Sequence, residues 1–429
     1  MYKIVINGGH KLSGEINITG SKNSALAILA ASILSDKEIK LINIPNVKDV
    51  IFMINLLTNL GAKIHLDGNS IHKYGENTAI VSIFNNNINN FTAEYDFVKK
   101  MRASVLVLGP LLARFGKAKV SLPGGCAIGV RPINLHVEAL KKMGAQIEIA
   151  NGYIDAHVKG KLKGCEVEFP FISVGATENI LSAAVLASGS TIIKNAATEP
   201  EIIHLAEFLI SLGAKIKGHG TSIIEVEGVE SLHPATLKIA ADRVEAGTYA
   251  IAAASTNGNI LLRNCNIEDF FPVKNEFDKI GIGLKSEENG VRCFKAKEPF
   301  GPCDIQTAPY PNFTTDLQAQ ITIPLLLADG ISSITETIFE NRFMHIPELM
   351  RMGADITIKG HKAIIQGNCN LQGANVMATD LRASVTLVIA GLVARSQTIL
   401  DRVYHLDRGY ENLPTKLSMC GADIKRLCE

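Results

Sequence analysis

A short glycine-centred phrase returns six times along this 429-residue chain. It reads LGAKIHLDG at Gly61, MGAQIEIANG at Gly144, LGAKIKGHG at Gly213, IGIGLKSEENG at Gly281, MGADITIKG at Gly353 and CGADIKRL at Gly421. The spacings are 83, 69, 68, 72 and 68 residues. A period of this kind constrains a fold more than any composition, because each repeat must be one supersecondary unit that buries its apolar face against its neighbours.

Each repeat holds an apolar run of helical length, a short turn and a β-branched run. SALAILAASILSDKEIKLINIP, ASVLVLGPLLARFGKAKVSLP and GATENILSAAVLASGSTIIKNA are the first three, and TDLRASVTLVIAGLVARSQTILDR is the sixth. Such helices are apolar nearly all round, which predicts burial. The later helix of each unit, such as VKDVIFMINLLTNLG, is amphipathic and predicted to face solvent, with its terminal glycine as a C-cap. Each unit thus reads strand, buried helix, strand, outer helix, β-hairpin. A chain of this length exceeds one ordinary core. Six units make two sets of three, and the sixth stops at ADIKRLCE, one hairpin strand short, while YKIVING stands unassigned at the N-terminus. The expected class is α/β, with two similar domains, each of three βαβαββ units around buried parallel helices (an inside-out α/β barrel). The expected domains are 22–240, carrying the Cys126 loop, and 1–21 with 241–429, carrying Asp316.

The formal net charge of +1 gives no reason to expect nucleic acid or an anionic membrane as partner. No apolar run reaches the roughly 18 residues of a membrane span, and the N-terminus lacks a signal peptide's apolar core. Eight cysteines without a CxxC pair, and no histidine cluster at ligand spacing, predict free thiols in a reducing cytoplasm and no metal. The Asn-rich stretch Asn85–Asn90 reads as a surface insertion.

The starts of the buried helices are less ordinary. They carry Ser21-Lys22-Asn23, Met101-Arg102, Ser173-Val174, Asp242-Arg243, Thr314-Thr315-Asp316 and Asp380-Leu381-Arg382. Capping explains Ser, Thr and Asp there. It does not explain Lys22, Arg102, Arg243 and Arg382, because a cation at a helix N-terminus opposes the macrodipole. Cation and helix start together suit an anionic ligand, and the repeat geometry is expected to aim the six starts at a cleft between the domains. A second anomaly is SLPGGCAIGVRP, where three glycines and two prolines flank Cys126, with Arg131 five residues on. A thiol in such a loop is a candidate reactive group, and the loop a candidate lid, whereas Cys165 and Cys265 read as small core hydrophobes.

GSKNSALAILAA, MRASVLVLGPLLARFGKAKVSLPGGCAIGVRPINLH, SVGATENI, TAPYPNFTTDLQAQ, ETIFENRFMHIPELMRMGA, VMATDLRAS and DRVYHLDRGYENLPTKLSMCGADI run almost from end to end. Together they closely resemble the UDP-N-acetylglucosamine 1-carboxyvinyltransferases, the enolpyruvyl transferases of peptidoglycan synthesis. The resemblance implies that Lys22 and Asn23 contact phosphoenolpyruvate, that Arg131 and Arg408 hold its phosphate, and that Arg342 and Arg382 hold its carboxylate. It implies a UDP-sugar site lined by Arg102, by Arg131, Pro132, Ile133, Asn134 and Leu135, and by Ser173 and Val174. Asp316 would meet the sugar 3-hydroxyl with Ile338 packed nearby, and Asp380 joins the substrate-binding set. Cys126 would protonate C3 of phosphoenolpyruvate while Asp316 acts as base or orients the hydroxyl, in an addition followed by loss of phosphate. The resemblance implies no cofactor. One departure is Phe171, where some members carry lysine. The rivals are the shikimate-pathway enolpyruvyl transferase, which lacks the PGGC loop, and a non-catalytic sugar-nucleotide-binding homologue.

Overall fold

Six small four-stranded sheets of one design organise the chain. The computed structural model describes residues 2–67, 79–122 and 133–428. The fifth repeat shows the design plainly. Strand Asp304–Gln306 leads through the 3-10 turn Thr315–Leu317 into the buried helix Gln318–Leu326. Strand Ile331–Thr335 then lies parallel to the first, with Ile305 opposite Ile334. The outer helix Ile346–Arg351 leads to the hairpin Ile356–Lys359 and Lys362–Gln366, whose second strand pairs antiparallel with Ile331–Thr335.

Three strands come from outside their own repeat. Tyr2–Asn7 enters the sixth sheet antiparallel to both Gln397–Asp401 and Asp423–Cys428, so the N-terminus supplies the hairpin strand that ADIKRLCE lacks. Ser13–Asn17 opens the fourth sheet, parallel to Asn259–Arg263. Ala235–Lys238 returns to the first sheet, parallel to Ile39–Ile42. The first two were expected from the unassigned N-terminal strand; the third was not, because four residues of mixed exposure carry little pattern.

The chain divides into two compact units, one of residues 2–19 with 241–428 and one within residues 20–240. The first crossing falls after Thr19, two residues earlier than the sequence reading placed it. In the first of these units the helices Arg243–Ser255, Gln318–Leu326 and Leu381–Val393 pack on one another. Every residue from Arg382 to Leu392 is buried. Gly247 lets the Arg243 helix approach the Thr315 turn, since a Cβ there would meet Leu317 Cδ1 at 2.5 Å. In the other unit the buried helices are Lys22–Ala31, Leu108–Phe115 and Val174–Ala184, with the 3-10 helix Arg102–Val107 running into the second. Each unit has its own apolar core.

The outer helices follow their sequence. Lys48–Leu60 buries Val50, Met53, Leu56, Leu57 and Leu60 and exposes Ile51, Asn55 and Thr58. All six repeat glycines have positive φ, from 94° at Gly353 and Gly421 to 110° at Gly61. That left-handed backbone ends the helix at little cost only for glycine.

The Asn-rich stretch is a surface insertion only in part, since Asn86, Asn87 and Asn89 are exposed but Asn85 is not. Asn85 is fully buried, and its Nδ2 donates to Ser32 O at 2.7 Å, closing the end of the Lys22 helix. Asn89 N donates to Leu60 O at 3.1 Å, and Asn90 Nδ2 to Asn59 Oδ1 at 3.1 Å. Asn85 and Asn89 thus satisfy helix-end carbonyls that would otherwise lack partners. Among the described residues no two cysteines form a disulfide. Burial pushes the thiol of Cys265 up to about 12 and that of Cys420 to about 11, as suits packing rather than chemistry. Among the described residues no helix is long and apolar enough to cross a membrane.

Candidate active site

Asp316 stands in the 3-10 turn that opens the fifth buried helix, behind the N-cap Thr314. Two arginines grip it. Arg342 Nη2 donates to Oδ1 at 2.8 Å, and Arg382 Nη2 donates to Oδ2 at 2.8 Å. The arginine side chains are 4% and 7% exposed and that of Asp316 is 25% exposed, so the carboxylate is the part a solute can reach. Each oxygen accepts from one arginine, and the two bonds fix the plane of the carboxylate.

The clamp is braced from behind by residues the sequence reading did not single out. Arg382 Nη1 donates to Tyr410 Oη at 3.2 Å, and Tyr410 Oη lies 2.9 Å from Thr248 Oγ1. Gln320 Nε2 donates to Asp316 O at 2.9 Å and to Thr248 Oγ1 at 3.2 Å. Burial alone pushes the Arg382 guanidinium down. Asp316 above all, then Tyr410, outweigh that and hold its pKa above the ordinary arginine value. Burial likewise raises Tyr410, so its hydroxyl stays neutral as a bridge. The signal for these residues was present only as polar letters inside buried segments: Thr248, Gln320 and Tyr410 are all buried.

A second hub holds the Ile338 segment. Glu336 is 1% exposed. Its Oε1 accepts from Thr307 Oγ1 at 2.9 Å, Ile338 N at 2.8 Å and Phe339 N at 3.2 Å, and its Oε2 from Thr315 Oγ1 at 2.8 Å. One carboxylate therefore fixes both the turn carrying Asp316 and the loop leading to Arg342. His345, just beyond, is buried against Thr322 and held neutral, down to about 4, first by burial.

Asp380 is the N-cap of the Leu381 helix. Its Oδ1 accepts from Arg382 N at 2.7 Å and Ala383 N at 3.1 Å, so one of its oxygens is occupied by capping. Arg408 ends the 3-10 helix Val403–Arg408 and is half-buried. Arg243 begins its helix behind the N-cap Asp242, with its guanidinium 5.8 Å from the Tyr310 ring centroid.

In the other unit, Lys22 and Asn23 begin a buried helix capped by Ser21. Lys22 Nζ lies 3.5 Å from Asp49 Oδ2. Arg102 begins its 3-10 helix without a side-chain cap. Ile133 precedes the helix Asn134–Lys142, in which Asn134 is exposed and Leu135 buried. Ser173 caps the Val174 helix, accepting from Ala176 N at 3.3 Å. Phe171, just before it, is 52% exposed. Cys126, Arg131 and Pro132 lie outside the described residues.

In five of six cases these helix starts hold the capping residue the sequence suggested: Ser21, Ser173, Asp242, Thr314 and Asp380. Comparison with known proteins decides what the arrangement belongs to. A family model described as EPSP synthase (3-phosphoshikimate 1-carboxyvinyltransferase) matches residues 6–417. A protein of Paramagnetospirillum magneticum named UDP-N-acetylglucosamine 1-carboxyvinyltransferase is 52% identical over 427 residues, spanning 100% of this chain and 99% of its own. The chain belongs to the UDP-N-acetylglucosamine 1-carboxyvinyltransferase family. It is an enzyme of the transferase class. Members of the same name from Rickettsia africae and Granulibacter bethesdensis are 52% and 50% identical, each matched over the full length of both chains. Among solved structures, the enolpyruvyl transferase NikO from Streptomyces tendae superposes with a TM-score of 0.88 at 23% identity, over 99% of this chain and 98% of that one. EPSP synthase from Acinetobacter baumannii superposes at 0.77 with 18% identity over the whole of both. At such identities the two structures establish the enolpyruvyl transferase fold, and this UDP-N-acetylglucosamine 1-carboxyvinyltransferase family member has it.

Proposed function

We infer that the protein transfers the enolpyruvyl group of phosphoenolpyruvate to the 3-hydroxyl of UDP-N-acetylglucosamine and releases phosphate. The observation that carries this reading to the level of residues is the Asp316 carboxylate, exposed at its tip and held by two buried arginines. Relatives 50–52% identical over the full chain bear that activity as their name. The shikimate-pathway reading is less well supported, because an EPSP synthase of the same fold is only 18% identical.

The chemistry suits these side chains. Asp316, exposed at its tip, can accept the sugar hydroxyl's hydrogen, which orients the oxygen for attack on C2 of phosphoenolpyruvate. Taking the proton fully would cost Asp316 charge-assisted bonds to Arg342 and Arg382. A substrate carboxylate, which the family resemblance assigns to these same arginines, offsets that loss by accepting their donors in turn. Asp316 then acts as base while Cys126 delivers a proton to C3. The tetrahedral adduct then collapses: C3 gives a proton back to the Cys126 thiolate, the C2–C3 double bond re-forms as the C2–O bond to phosphate breaks, and the proton taken by Asp316 leaves with the phosphate. Lys22, Asn23, Arg131 and Arg408 are proposed to hold phosphoenolpyruvate, and Arg102, the 131–135 run, Ser173 and Val174 the nucleotide sugar. Ile338 and Asp380 complete the substrate set. The chemistry calls for no cofactor.

The reaction is the committed step of peptidoglycan precursor synthesis, and the proposed compartment is the cytoplasm. The test is phosphate release from phosphoenolpyruvate with UDP-N-acetylglucosamine against shikimate 3-phosphate as acceptor. Turnover with the first alone is expected. Turnover with the second alone overturns the reading, and turnover with neither favours a non-catalytic homologue.

A further inference from the structure

Asn179 lies in the middle of the Val174–Ala184 helix and is 1% exposed. A buried asparagine is costly unless its amide is satisfied. Here all three of its bonds leave its own helix. Oδ1 accepts from Gly109 N at 2.6 Å. Nδ2 donates to Val105 O at 3.0 Å and to His136 Nδ1 at 3.0 Å. The amide orientation follows, since a backbone N–H faces one end and a backbone carbonyl the other.

The three partners belong to chain segments with one thing in common. Val105 lies in the 3-10 helix that Arg102 begins. His136 is the third residue of the helix that Asn134 and Leu135 begin. Asn179 belongs to the helix that Ser173 caps and Val174 begins. Gly109, beside Val105, admits the contact only because it has no side chain, as a Cβ would fall 2.3 Å from Asn179 Oδ1. His136 is itself buried, and burial first, then the charge of Arg102, lowers it to about 4. It is therefore neutral near pH 7, with Nδ1 free of a proton and able to accept.

We propose that Asn179 is a positioning residue for the nucleotide sugar, setting the spacing between the Arg102, Asn134–Leu135 and Ser173–Val174 chain starts through its three hydrogen bonds. The inference rests on the reading that these starts receive UDP-N-acetylglucosamine. Asn179 touches no substrate itself. Its loss is felt as misplacement of three contacts at once, in binding more than in the chemical step, whose groups Asp316, Arg342 and Arg382 are held by a separate network.

Two variants test it in the full-length enzyme. Asn179→Ala removes all three bonds. Asn179→Asp keeps the shape and an acceptor for Gly109 N but offers no donor to Val105 O. For both, KM for UDP-N-acetylglucosamine is expected to rise about tenfold or more, the scale of a lost buried hydrogen bond, with kcat at saturation and KM for phosphoenolpyruvate changing little. Gly109→Ala, which pushes on the same contact from the other side, should give the same split. An unchanged KM for the nucleotide sugar with a lowered melting temperature overturns the proposal, and so does an equal loss in kcat with unchanged KM. Should Asn179→Ala fail to fold, the milder Asn179→Asp decides. Wild-type enzyme without turnover of UDP-N-acetylglucosamine removes the functional reading instead. In that case, amide exchange in the variant decides the placement claim: faster exchange confined to residues 102–107 and 134–136 supports it, and unchanged exchange there overturns it.

Discussion

Arg382 Nη2 lies 2.8 Å from Asp316 Oδ2, which ties the start of the sixth buried helix to the turn that opens the fifth. The two residues are 66 positions apart. Arg342 closes the other side of the same carboxylate at 2.8 Å. A helix-start arginine, which the macrodipole disfavours, here meets a carboxylate fixed by the neighbouring repeat.

Asp316→Asn keeps the shape of the turn and removes the proton acceptor. The kcat is expected to fall about 100-fold or more, within the usual range for losing acid–base catalysis. The Kd for UDP-N-acetylglucosamine, measured by calorimetry, should change much less. A near-normal kcat would reduce Asp316 to an anchor for the two arginines.

Arg382→Lys preserves charge and loses the planar fork. One ammonium cannot reproduce the contacts of a guanidinium that spans Asp316 and Tyr410, so the change is not conservative. We expect kcat/KM to drop about 100-fold and stability to fall by about 1–3 kcal/mol, the cost of buried polar groups left without partners. Steady-state kinetics beside urea unfolding checks both; full activity in the lysine variant would mean that the fork is not needed.

Cys126→Ser should nearly abolish turnover, because a hydroxyl is a far weaker acid than a thiol. Cys126→Asp should retain activity through its carboxylic acid and resist the epoxide fosfomycin, which the family resemblance implies would alkylate the thiol. Inhibition assays with each variant test the assignment, and full fosfomycin sensitivity in an active aspartate variant defeats it.

Glu178 gives the pH dependence of stability a sign. Its carboxyl is pushed up to about 8, first by burial, then by Glu201 and Glu199, against the pull of Lys22. In the unfolded chain it titrates near 4.5. The folded protein binds the additional proton between those values, so this contribution to stability is complete below pH 4.5 and lost as pH rises through about 8. Glu178→Gln is neutral throughout, and its stability relative to wild type should therefore grow by on the order of a few kcal/mol between about pH 5 and pH 9. The acid-side loss from His136 and His345, both lowered to about 4, is common to the two proteins and cancels. Urea unfolding across the range reads the difference, and parallel curves would refute it.

Much of the fold was legible because local chemistry decides it. Gly61, Gly144, Gly213, Gly281, Gly353 and Gly421 could be read as helix ends, since only a residue without Cβ takes that backbone cheaply, and each has positive φ. The caps Ser21, Ser173, Asp242, Thr314 and Asp380 could be read for the same kind of reason, as each bonds a backbone N–H two or three residues ahead. The return of Ala235–Lys238 to the first sheet and the anchoring role of Asn85 were not legible, because both depend on partners far along the chain.

By itself, then, the sequence determined the repeat, the helix ends, the burial of the inner helices and the family, all of which follow from neighbours within a few residues or from motifs read in line. Only the tertiary structure decided that Arg342 and Arg382 converge on Asp316, that Tyr410, Thr248 and Gln320 brace them, and that Asn179 joins three segments. The physical reason is range. A cap or a turn is satisfied by the chain beside it, whereas a buried arginine or amide must find its partners wherever helix packing places them, and that placement is set by the whole core at once.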